Sequence, residues 1–161
     1  MIAPVGLKNL LEVMSMMAET ERLIADLYRT CADIWEEDRE FWLATVAEEK
    51  KHAKNIEKMA QIIVAKPEQF EMGRPFNQVA IRTIKTGLEG QLERLKKGQF
   101  TRERMLFVAR DIEASVIEKS YAEIVRTNDV GYQALVNEIV QDTTKHKNSI
   151  EQRIQELKAG G

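Results

Sequence analysis

The chain contains one cysteine, Cys31, in 161 residues. One thiol cannot form a disulfide within a chain, nor a cysteine-ligated zinc site or a rubredoxin-like iron site, since each needs several thiolates. The sequence also has no stretch of roughly 18 apolar residues that would span a membrane, and no charged leader followed by a long apolar run. We therefore expect a soluble, cytoplasmic protein with no membrane partner.

Neither sign of charge predominates in the chain. Its 24 basic residues nearly balance the 26 acidic ones, and no block of basic residues occurs. This balance excludes the electrostatic signature of a nucleic-acid-binding protein. Hydrophobic residues make up 43% of the chain, enough to form a substantial core in one domain spanning residues 1–161.

Proline is scarce, and its three positions, Pro4, Pro67 and Pro75, fall where helices are expected to begin or end. Between them the apolar residues recur with helical periodicity. Asn77 and Thr101 are predicted to cap the two helices that follow them. The predicted elements are four long helices over about 7–34, 39–65, 101–126 and 132–157, a crossover segment over about 67–100 with an extra helix, and a frayed tail over 158–161.

Polar residues interrupt the apolar face of each long helix. The interrupting residues are Glu21, Glu49, His52, Glu113 and His146. A carboxylate that faces a helix-bundle core costs several kcal/mol unless a cation compensates it. A metal ion would provide that charge, whereas a single histidine in such a face is more often a hydrogen-bonded core residue.

The spacing of these residues indicates two similar helical hairpins. Glu21 and Glu49 are 28 residues apart with their midpoint at residue 35, in the first predicted turn. Glu113 and Thr143 are 30 apart with their midpoint at residue 128, in the turn over 127–131. Positions equidistant from a tight turn lie at the same height on antiparallel helices. His52 and His146 each follow the second position by three residues, so the two hairpins would bring all these side chains together.

This pattern resembles the ferritin-like di-iron carboxylate proteins, in which two helices each supply Glu and two others each supply Glu-x-x-His. Within these proteins the chain looks like the rubrerythrin branch, through the segments 21–28 (ERLIADLY), 47–52 (AEEKKH) and 112–115 (IEAS). The resemblance implies an all-α, ferritin-like antiparallel four-helix bundle made of two hairpins joined by the long crossover. It also implies that Glu21, Glu49 and His52 hold one iron, and that Glu113 and His146 hold a second, with Glu49 as a bridge.

Two positions depart from the family pattern. Thr143 stands where the fourth helix has its ligand glutamate, and Val116 where rubrerythrins have a further glutamate. Asp142 is a sixth candidate ligand, one residue earlier, about 100° round the helix and one carbon shorter. A CxxC-based rubredoxin domain is absent, so electrons would have to come from a separate carrier.

Tyr28 lies one or two turns along the helix from Glu21 and is a candidate hydrogen-bond donor to a ligand carboxylate, or else an aromatic residue at the edge of the apolar face. Glu48 and the acidic run 36–38 are expected to face solvent.

The resemblance implies reduction of hydrogen peroxide, or activation of O2, at two iron ions with an external electron donor such as rubredoxin. Two alternatives remain open: ferritin-like binding and oxidation of ferrous iron, and a degenerate metal-binding or interaction module with one metal or none. Thr143 favours the degenerate module, and the five retained ligands favour the other two. Zinc or manganese could replace iron, and a homodimer is expected.

Overall fold

The computed structural model describes residues 1–74, 77–115 and 121–160. Within these ranges the fold is all-helical apart from one small sheet of two strands. Its elements are α1 (Pro4–Ile34), α2 (Arg39–Ala65), β1 (Phe70–Met72), α3 (Gln78–Lys96), α4 (Arg102–Glu113), β2 (Val125–Thr127) and α5 (Val130–Gly160).

The first two helices form the predicted hairpin. Pro4 occupies the first turn of α1, where its missing N–H costs no hydrogen bond. Trp35 and a short 3-10 turn over Glu36–Asp38 reverse the chain before α2 begins. α1 and α2 then pack along each other, and α2 also packs against α5.

The crossover contains the extra helix that the sequence predicts. Asn77 caps α3 by accepting a hydrogen bond from the Val79 N–H, and α3 lies against α1. Thr101 likewise caps α4 by accepting from the Arg104 N–H. Both predicted caps are therefore confirmed.

The third long helix is shorter than predicted. It ends at Glu113 rather than near residue 126, and residues 121–127 form turns followed by β2. Val116 and the neighbouring positions of the predicted helix lie outside the described residues. The helical periodicity did not reveal β2 because the strand depends on pairing with β1, in which Phe70 lies opposite Thr127, 57 residues later in the chain.

The two strands pair in antiparallel fashion, with Phe70 opposite Thr127 and Met72 opposite Val125. Gly73 continues this contact, since its N–H donates to the Ile124 carbonyl at 2.9 Å. A Cβ at Gly73 would lie 2.1 Å from the Glu123 carbonyl oxygen, so only glycine fits this close approach. The sheet ties the crossover to the segment before α5.

The last helix is longer than predicted at both ends. It begins at Val130, where the Asp129 carboxylate accepts a hydrogen bond from the Tyr132 N–H at 2.8 Å, and it continues to Gly160. Residues 158–160, predicted as part of a frayed tail, are helical. α5 packs against both α2 and α4.

Two apolar clusters fill the core, one towards each end of the long helices. Their largest fully buried side chains include Met17, Ile56 and Phe70 in one cluster, and Leu27, Trp42 and Leu95 in the other. Along α1 the first cluster reaches Ala18 and the second resumes at Ile24. Glu21 lies in the gap between them.

None of the helices in the described part of the chain has an apolar stretch long enough to cross a lipid bilayer.

Asp38, expected to face solvent, is instead buried to 1% exposure. Its carboxylate accepts a hydrogen bond from Arg102 Nη2 at 2.8 Å, and Arg153 Nε lies 3.7 Å away. Asp38 thus connects the first turn to the beginning of α4 and to α5. The buried carboxylate is tolerated because two guanidinium groups compensate its charge.

We expect Asp38→Asn to lower the free energy of unfolding by about 1.5–3 kcal/mol, because it removes a buried charge from two arginines. Urea unfolding followed by circular dichroism measures this loss. Glu37→Gln makes the same chemical change at the adjacent, exposed residue and should cost less than about 0.5 kcal/mol. Equal effects of the two substitutions would contradict the role assigned to Asp38.

Candidate metal centre

The five polar residues predicted to face the core are buried, and they lie between the two apolar clusters. Glu21 comes from α1, Glu49 and His52 from α2, Glu113 from the end of α4, and His146 from α5. Their exposed fractions are 1% for Glu21, 0% for Glu49 and His52, 4% for Glu113 and 9% for His146. Four helices thus contribute to one polar layer.

Two groups of three residues within this layer have the geometry of metal ligands. Glu21, Glu49 and His52 each offer one ligand atom within 4.8 Å of the others, and Glu49, Glu113 and His146 do the same. We call these the first and second triads. Glu21 and Glu49 face each other, as the equal distances from the first turn predict.

Glu49 belongs to both triads, and its two carboxylate oxygens point to different histidines. Oε2 lies 3.6 Å from His52 Nδ1, and Oε1 lies 3.3 Å from His146 Nδ1. His146 Nδ1 is also 3.9 Å from Glu113 Oε2. A carboxylate placed in this way can contact two cations at once, which is the arrangement of a bridging ligand.

Several ligand-type atoms in this layer are buried without a hydrogen bond. Among the described residues, four such atoms are Glu21 Oε2, His52 Nδ1, Glu113 Oε2 and His146 Nδ1. Buried polar atoms without a partner are rare and costly in folded proteins. Since these atoms converge from different helices, a bound cation would satisfy them together.

The burial of these groups and their closeness to one another also shift their pKa values. Burial, and then the nearby Glu49 carboxylate, raise the pKa of both Glu21 and Glu113 well above the ordinary value of 4.5. Burial lowers the pKa of His146 below its ordinary 6.5. Without a cation, burial therefore shifts the carboxyl groups of Glu21 and Glu113 and the imidazole of His146 towards their uncharged forms. A bound cation would oppose this shift for the two carboxyl groups and favour their ionised form.

Two tyrosines hydrogen-bond to carboxylates of the layer. The Tyr28 hydroxyl donates to Glu113 Oε1 at 2.9 Å, and the Tyr121 hydroxyl donates to Glu21 Oε1 at 2.6 Å. Tyr28, predicted to hydrogen-bond to a ligand carboxylate, thus contacts Glu113 on α4. Sequence reasoning missed Tyr121, since it lies beyond the end of α4 in a segment that was predicted to be helical.

Asp142 lies on the far side of the His52 ring from Glu49. Its Oδ2 is 3.2 Å from His52 Nε2 and 3.3 Å from Lys51 Nζ. Burial alone would raise the pKa of Asp142, but the hydrogen bonds from His52 and Lys51 outweigh it and lower this pKa. An ionised Asp142 favours the proton on Nε2, which leaves the Nδ1 lone pair directed to Glu49 and the first triad.

The structure thus gives Asp142 an orienting contact with His52 and does not group it with Glu49, Glu113 and His146. Glu48, expected to face solvent, is only half-exposed and forms a third group of ligand-type atoms with His52 and Asp142. Thr143 is half-buried, and its hydroxyl donates to the Ile139 carbonyl at 2.8 Å. Position 143 therefore contributes no charge to the second triad.

Comparison of the chain with protein-family models, with curated proteins and with solved structures found no match.

We expect Glu21→Gln to stabilise the metal-free protein at pH 8 by on the order of 1–2 kcal/mol. The folded pKa of Glu21 is raised above its unfolded value, so ionisation weakens the folded state as the pH rises through that folded value. Glutamine has the same shape, keeps an acceptor for Tyr121 and cannot ionise.

Urea unfolding in the presence of a chelator, at pH 5 and pH 8, measures this gain, which should shrink towards pH 5. The matched control is Glu19→Gln, an exposed glutamate on the same helix, which should change stability by less than about 0.5 kcal/mol. A Glu21→Gln protein less stable than the wild type at pH 8 would show that Glu21 carries no ionisation penalty.

Proposed function

We propose that this chain is a rubrerythrin-like non-haem di-iron protein. Glu21, Glu49 and His52 would hold one iron, and Glu49, Glu113 and His146 a second. The observation that carries the proposal is Glu49, whose two oxygens face different histidines at 3.6 Å and 3.3 Å in a layer almost closed to water. A single shared carboxylate is the usual way in which two cations are brought close together.

The donor set is compatible with iron. Three carboxylates and two imidazoles offer hard and borderline ligands, which suit Fe(II), Mn(II) and Zn(II). The three carboxylates leave one positive charge on a pair of divalent ions, far less than a bare pair would bring into the core. Bound iron would supply the electron exchange with hydrogen peroxide or O2, with reducing equivalents from an external donor.

The remaining residues position the ligands and exclude water. Tyr121 holds Glu21 Oε1 and Tyr28 holds Glu113 Oε1, so in each carboxylate the other oxygen is directed towards the metal positions. Asp142 fixes the ring of His52 from behind. The apolar clusters above and below the layer keep bulk solvent away from the reacting centre.

The same arrangement supports a ferritin-like four-helix bundle composed of α1, α2, α4 and α5. α1 pairs with α2, α2 with α5 and α4 with α5, while α3 lies outside against α1. Each of the four contributes to the polar layer, as the ferritin-like pattern requires. Ferrous iron binding and oxidation without a reducing partner is the alternative activity that the same residues would allow.

Anaerobic loading with ferrous iron should give about two metal ions per chain, since each triad supplies three ligands. Glu49→Gln should lose both ions because it removes the shared carboxylate, whereas His146→Ala should lose one. Elemental analysis after gel filtration gives these numbers.

Glu48→Gln changes the residue next to Glu49 and should keep both ions, because Glu48 lies outside the two triads. Full iron content in the Glu49→Gln protein would refute the proposed centre. One iron in the wild type, retained in His146→Ala, would instead support the degenerate one-metal alternative.

Metal binding should strengthen as the pH rises. Burial and the Glu49 carboxylate raise the pKa values of Glu21 and Glu113, so protons compete with the metal for these two groups. Affinity should therefore rise by up to about tenfold per pH unit for each proton displaced. Calorimetric titration with zinc, which has no redox chemistry, at pH 6, 7 and 8 measures this slope.

In the Glu21→Gln protein the slope should fall by the contribution of one proton. Zinc affinity that does not change between pH 6 and 8 would show that the layer is already ionised in the metal-free protein.

A further inference from the structure

The two triads differ in their access to the outside. Glu21 and His52 are 1% and 0% exposed and lie deep in the layer, whereas His146 is 9% exposed. Glu113 and His146 each line a cavity, one on either side of α5. Exchange of a small ligand is therefore easier at the second triad than at the first.

The cavity at Glu113 lies between the end of α4 and the middle of α5 and measures about 270 Å³. Ser115, Thr143, Lys147 and Asn148 are among the residues that line it. Glu113 is 4% exposed, Tyr28 occupies its Oε1, and its buried Oε2 has no hydrogen-bond partner among the described residues. Glu113 thus lines a cavity large enough for a few heavy atoms, and it also carries a buried oxygen without a hydrogen bond.

Thr143 explains why there is space here. It precedes His146 by three residues and therefore lies on the same face of α5. A longer acidic side chain at this position would extend towards the second triad. The Thr143 hydroxyl donates a hydrogen bond to the Ile139 carbonyl within its own helix. Thr143 therefore adds neither volume nor negative charge at the second triad.

The charges that line the two cavities select different ligands. On the α2 side, the cavity at His146 measures about 260 Å³ and is lined by the carboxylates of Glu48 and Asp142 with one ammonium group, Lys145. An anion is disfavoured there. Among the described residues that line the α4 side, Lys147 is the basic group and Glu113 the acidic one, and a bound metal would neutralise the charge of Glu113.

We propose that the cavity between α4 and α5 binds a small carboxylate, of the size of formate or acetate, which supplies to the second triad the oxygen ligand that Thr143 cannot. This rests on the proposed function, because the metal positive charge, together with Lys147, is what holds the anion. Three protein ligands leave at least one position open on a metal that prefers four to six.

The test uses the full chain loaded with cobalt(II), whose visible absorption changes when its ligands change. Titration with sodium formate should give a saturable spectral change in the wild type. Thr143→Glu should bind two cobalt ions, the second more tightly than wild type, and should weaken the formate response by roughly tenfold or more because the new carboxylate occupies the position. Gln141→Glu adds the same charge at an exposed position of α5 and should respond like the wild type.

A second variant tests the anion site without altering the metal ligands. Lys147 is exposed, so Lys147→Ala should fold normally, keep both cobalt ions and bind formate roughly two- to fivefold more weakly. Two bound cobalt ions with no formate response, or Thr143→Glu responding like the wild type, would overturn this inference and leave the proposed function intact. Failure of the wild type to bind a second cobalt would overturn both.

Discussion

The structure depends on the burial of one carboxylate, Glu49, between two imidazoles and two further glutamates. Removing such a group from water is expensive, and the pKa shifts of Glu21 and Glu113 record that cost. The helices nevertheless continue through this layer, with apolar side chains packed above and below it. The apolar clusters therefore provide the stability that holds the polar layer in place, and a bound cation would remove its electrostatic cost.

The ligand-type side chains of the polar layer are oriented by hydrogen bonds from distant parts of the chain. Tyr121 reaches Glu21 across 100 residues of sequence, Tyr28 reaches Glu113 across 85, and Asp142 reaches His52 across 90. Each contact occupies one atom of a ligand-type side chain. The other oxygen or nitrogen of that side chain is then directed into the centre, which is how a layer of flexible carboxylates becomes a preorganised site.

The two helical hairpins of the sequence pattern are not equivalent, and the difference affects the metal centre. α1 and α2 supply a closed triad, while α4 ends at Glu113 and Thr143 carries no charge. The second triad has three ligand residues like the first, but it lies closer to solvent. In the proposed di-iron centre, the enclosed position would hold its metal firmly while the accessible position exchanges ligands.

Much of this could be predicted from the sequence alone. The helical hairpin of α1 and α2, the caps at Asn77 and Thr101, and the convergence of Glu21, Glu49, His52, Glu113 and His146 all follow from local rules. Helical periodicity assigns side chains to a face, and equal distances from a turn set their heights, so both depend only on nearby residues. Proline, asparagine and threonine act on the backbone within one turn.

Other features were decided only by tertiary structure. Each of four features needs two segments that lie far apart in sequence. They are the end of α4 at Glu113, the pairing of the strands Phe70–Met72 and Val125–Thr127, the burial of Asp38 beneath Arg102 and Arg153, and the hydrogen bond from Tyr28 to Glu113. A pairing between distant segments produces no periodic pattern in the sequence of either segment. The reason is that the pairing stabilises the fold only when both segments are in contact. The sequence by itself therefore determined which residues face the core, and the tertiary structure decided which of them touch.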